Sequence, residues 1–173
     1  MSLTSAAGLA TMLSFVLFAI LAFWYVAPWL RARPRVEALT LLVWINAFRS
    51  VALQIFSAQH FGFAVSDGAR DQIVAGDLIG MMLAVAAIVA LHYRARVAPF
   101  LVWLLVVETV FDLVYTTILG VHEHLYATAS AVTFLIVAFY VPLLWMSVAL
   151  MAWQLCSRHK EPLTHQGDTQ SAG

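Results

Sequence analysis

Arg49 stands in the middle of an apolar stretch, and three acids, Asp77, Glu108 and Asp112, stand in other apolar stretches of the same chain. Arginine keeps its charge at any physiological pH, and holding a charge at membrane depth costs several kcal/mol on most scales. Such residues usually turn toward a bundle interior, where they pair, hold a ligand or relay protons. Arg49 suits an anion holder or a counter-ion. Asp112 and Asp77 are its expected partners, which leaves Glu108 as the group expected to titrate. Asn46 precedes Arg49 by three positions and Tyr115 follows Asp112 by three, so each falls on the stripe of its charged neighbour. The same residues also suit an interhelical clamp that only fixes packing.

A second set of candidates is imidazole-rich. His122 and His124 flank Glu123 shortly after the stretch that holds Glu108, and His60 follows the stretch that holds Arg49. Imidazoles and carboxylates ligate zinc, copper or nickel, so His60, His122 and His124 are candidate ligands for a transition metal. Their spacing matches no established metal motif. No other cofactor is expected. Catalysis is not expected either, because no serine has a matching His/Asp set and no Gly-rich phosphate loop occurs.

These residues need elements that hold them at a common depth. The 173-residue chain is 63% hydrophobic and 10% charged, with mean hydropathy +0.90. A soluble domain would carry roughly 25% charged residues, so the expected solvent for most of the chain is lipid. Five runs are long enough to cross a bilayer as helices: about 7–30, 39–56, 73–91, 97–119 and 125–156. The expected fold is an all-α integral membrane bundle of five transmembrane helices over residues 1–156. Residues 157–173 read as a polar, disordered cytoplasmic tail. Pro142 in the fifth run predicts a kink or tilt.

Arg31, Arg33 and Arg35 follow the first run, Arg94 and Arg96 follow the third, and Arg158 and Lys160 follow the fifth. Every second connection is thus basic, which places the N-terminus outside and the C-terminus in the cytoplasm. Eight arginines against one lysine fit a bacterial source and an inner (cytoplasmic) membrane. Counted at 1.5 Å per residue, the four ionisable groups share the outer half of the bilayer. Gly76, Gly80 and Ala84 recur every fourth residue beside Asp77, a spacing that lets helices approach closely.

Formal net charge is zero, so no electrostatic footprint for nucleic acid exists. The single cysteine, Cys156, excludes an intramolecular disulfide. The expected function is binding of a small ligand, or passage of protons or cations, by a transporter or sensor component. The alternatives are a structural or accessory subunit and a metal-binding protein using the outer histidines. A homo-oligomer or a partner membrane subunit is expected, because one chain offers few helices to enclose a path.

Overall fold

A computed structural model describes residues 3–125, 131–159 and 161. Five helices are long and apolar enough to span a membrane: α1 (Ala6–Arg31), α2 (Arg35–His60), α3 (Asp67–His92), α4 (Ala98–His122) and α5 (Val132–Ser157). Among the described residues there is no strand. This architecture fits an integral membrane protein. The start expected at residue 125 for the fifth helix borders residues 126–130, which lie outside the described ones, as does most of the tail at 157–173.

Helix boundaries follow local chemistry. Pro34, extended at φ −53° and ψ 141°, precedes α2 and cannot continue a helix with the residue before it. Ser66 caps α3 by accepting a hydrogen bond from the Ala69 N–H at 3.3 Å. That cap adds a polar first turn, so α3 starts six residues before the apolar run at 73. Pro99 sits in the first turn of α4, where its missing N–H costs nothing.

Helices α2, α3, α4 and α5 form the core, with α3 against α2 and α4, and α5 against α2 and α4. Helix α1 packs chiefly on α5, with Phe18 edge-on to Phe139 at 4.9 Å between ring centroids. Only 6% of its apolar window is buried, against 28% or more in every other span, so α1 is a peripheral helix.

The bundle has a basic end, marked by Arg31, Arg33, Arg94, Arg96 and Arg158, and an opposite end carrying the 61–66 loop. The half nearer the basic end is a continuous apolar core that includes Leu39, Leu42, Val43, Leu105, Val148 and Met151. A latch closes this end. Arg35 donates to the carbonyls of Leu155 at 3.1 Å and Glu161 at 2.9 Å. Arg158 donates to the carbonyls of Leu30 at 3.1 Å and Arg33 at 2.8 Å. At the opposite end a smaller cluster packs Phe63 and Val65 of the loop onto Ile55, Ile73 and Leu125.

Three stretches depart from α-geometry. Residues Phe48–Leu53 of α2 are wound as a 3-10 helix. A π turn at Ala22–Val26 precedes Pro28, and another at Ile136–Tyr140 precedes Pro142. A proline leaves the carbonyl four residues back without its usual donor, and a widened turn is one way to absorb that defect. At Pro142, where a kink or tilt is expected, the departure from α-geometry is this π turn.

Candidate functional site

The site is built around the Arg49 side chain, which is fully buried. Its Nε donates to Asp77 Oδ1 at 2.8 Å. Nη1 donates to Glu108 Oε2 at 2.9 Å and to Thr109 Oγ1 at 3.1 Å. Nη2 donates to Asp112 Oδ2. One planar guanidinium thus ties α2 to both α3 and α4. The Thr109 hydroxyl donates in turn to Glu108 Oε2 at 3.2 Å. The expectation that Glu108 would be left over is corrected, because the guanidinium fork has enough N–H groups to reach all three acids.

The fit depends on two glycines of α3. A Cβ at Gly80 would collide with the guanidinium of Arg49, and one at Gly76 with the carboxylate of Asp112. The four-residue spacing was legible as a close-packing signal, but what enters the furrow is an ion pair rather than a helix backbone. Thr109 gave no sequence signal beyond following Glu108.

Asn46, one turn before Arg49 on α2, is also fully buried. Its amide donates to Ser147 Oγ at 3.2 Å and to the Leu42 carbonyl at 3.3 Å, while Oδ1 is buried and among the described residues receives no hydrogen bond. Tyr140 donates its hydroxyl to the Ile45 carbonyl at 3.1 Å. These bonds fasten α5 to α2 directly beside the charged group.

Regular α-helical winding would put Asn46, Arg49, Ser50, Leu53, Ser57 and His60 on one face of α2. The buried positions are instead Asn46, Arg49, Ala52 and Ile55, while Leu53, Ser57 and His60 are exposed. A 3-10 helix repeats every three residues, so the inward face follows steps of three through this segment. On α4, Tyr115 turns outward and donates to Gln72 Oε1 at 2.6 Å, apart from the ionic group.

The histidines do not converge. His60, His122 and His124 are all exposed, and His60 stacks edge-on to Phe61 at 5.5 Å. Among the described residues no group of three His, Cys, Asp or Glu side chains is arranged to hold a metal.

A cavity of about 330 Å³ adjoins the ionic group on the side away from the basic end. All five helices contribute walls, with Thr11 and Phe15 from α1, Ala52 from α2 and Thr116 from α4. Asp77 and Asp112 line it among mostly apolar neighbours, and Phe63 borders it from the loop. The hydroxyl of Thr116 is spent on its own helix, donating to the Asp112 carbonyl at 2.8 Å. Thr11 and Thr117 also donate to carbonyls of their own helices, at 2.9 Å and 2.6 Å, and Asp77 and Asp112 are the charged residues of the lining.

Fold and site together define an all-helical protein with five spans able to cross a membrane around an arginine–tricarboxylate centre. Residues 6–156 match the family described as a domain of unknown function, DUF8737, and the chain belongs to that family. No curated protein and no solved structure matches the chain.

Proposed function

We propose that this is a membrane protein that binds a small ligand or cation in the cavity beside Arg49, as a component of a transport or sensing system. The observation that carries the reading is that Asp77 and Asp112 both line an apolar cavity while Arg49 holds each by one oxygen. Ligand pockets have this character: apolar walls with a few convergent polar groups. A clamp needs only one acid for its arginine and no adjoining space. The positive-inside pattern supports an orientation with the cavity end outside and the latch in the cytoplasm.

The test is thermal unfolding of the purified protein in lipid nanodiscs against a panel of small organic cations and neutral molecules. Wild type is compared with Thr116→Phe, which adds bulk to the cavity wall at a residue that is not a member of the ion pairs. At least one compound class is expected to raise the midpoint of wild type and leave the filled variant unmoved. If no compound separates the two proteins, the structural clamp is the correct reading.

A further inference from the structure

We infer that the cavity takes a small lipophilic amine, its ammonium group on the carboxylate of Asp77 and its apolar body between Phe15, Phe63 and Ile136. The inference deepens the proposed function and rests on it.

Charge is the first argument. Arg49 brings one positive charge to three carboxylates, and among the described residues no other basic side chain pairs with them. Fully ionised, the group carries a surplus of two negative charges on the four residues paired here. A carboxylate in an apolar setting is stabilised by a counter-charge, so a cation is the ligand that this surplus favours.

The free acceptors point to one acid in particular. Glu108 is absent from the cavity wall. The second oxygen of Asp112 lies against Gly76 on α3, where a Cβ would meet it. Asp77 accepts from Arg49 through Oδ1, and among the described residues Oδ2 receives no hydrogen bond. An ammonium has donors for such an oxygen and a charge to match it, giving a charge-assisted bond.

The walls supply the rest of the recognition. Phe15, Phe63, Tyr140 and Trp145 line the space, so the wall is rich in aromatic side chains against which an apolar body can pack. A hydrated metal ion has no use for such walls, and a fatty acyl chain has no use for the carboxylates. A cation with an apolar body uses both.

The experiment compares phenethylammonium with 2-phenylethanol, which share a ring and a two-carbon chain but differ in charge. Binding of each to the wild-type protein in nanodiscs is measured by isothermal titration. The ammonium is expected to bind about tenfold tighter or better, the size of one charge-assisted hydrogen bond. Asp77→Asn should bring the ratio near one, and Thr116→Phe should abolish both signals. The wild-type comparison needs no variant, so a misfolded Asp77→Asn would not rescue the inference. Equal or tighter binding of the alcohol, still lost in Thr116→Phe, overturns the amine and leaves the ligand reading standing. Binding of neither probe by wild type overturns the amine; identical unfolding of wild type and Thr116→Phe across the whole panel would remove the ligand reading too.

Discussion

The guanidinium of Arg49 occupies the space that a side chain at position 80 would need, so Gly80 and Arg49 fit only as a pair. Three carboxylates pin that guanidinium, and it has little freedom to give way.

Gly80→Ala and Gly76→Ala are therefore expected to destabilise by about 1–3 kcal/mol, the usual cost of forcing extra volume into a packed site. Gly8→Ala is the control. A Cβ there meets nothing within 4 Å, and alanine in an exposed helix gains about 0.5–1 kcal/mol over glycine. Reversible unfolding in mixed micelles would measure all three. Similar values for Gly80→Ala and Gly8→Ala would contradict the described packing.

Arg49→Met leaves three acids without their shared base and should cost about 3–5 kcal/mol, as breaking a buried ion pair does. Arg49→Lys should fall between that variant and wild type, because an ammonium cannot offer a planar fork to acids on two helices. Adding Asp112→Leu to Arg49→Met should recover part of the loss. The same unfolding assay applies, and additive losses in the double variant would mean that the two side chains do not interact.

Asn46→Ala and Ser147→Ala form a double-mutant cycle across α2 and α5. A coupling of about 0.5 kcal/mol is expected, typical of interhelical hydrogen bonds in lipid. Among the described residues Asn46 Oδ1 receives no hydrogen bond, so Asn46→Ala should cost little beyond the two bonds its amide donates. A loss several times larger would show that Oδ1 has a partner beyond the described residues.

Much of this centre was legible in the chain because charge inside an apolar run has few tolerable places. Arg49, Asp77, Glu108 and Asp112 were recognisable individually, and counted depth brought them to the same half of the bilayer. What could not be read was winding. Ser57 and His60 share a face with Arg49 only if α2 is regular, and its 3-10 segment turns them outward. Tyr115 follows Asp112 at a helical step of three, yet the face of α4 turned inward continues through Leu113 and Gly120. The cavity left no mark in any one segment, since residues of all five helices must assemble before it exists.

At the basic end, hydrogen bonds from Arg158 hold the Glu161 carboxyl below the usual glutamate range. A depressed folded-state value means that this contact adds stability above the ordinary glutamate pKa and loses it as pH falls through the lower folded value. The side chain is 46% exposed, so the effect on overall stability is small. Carboxyl chemical shifts of Glu161 followed against pH should show a low midpoint that returns to normal in Arg158→Gln. A midpoint indifferent to that substitution would dissociate the pair.

Between the charged knot and the basic end, Leu42, Val43, Val148 and Met151 stand shoulder to shoulder with almost none of their surface exposed. Through-traffic along the bundle would demand that these four side chains part company, so conduction by this chain would have to be a matter of repacking rather than of an open pore.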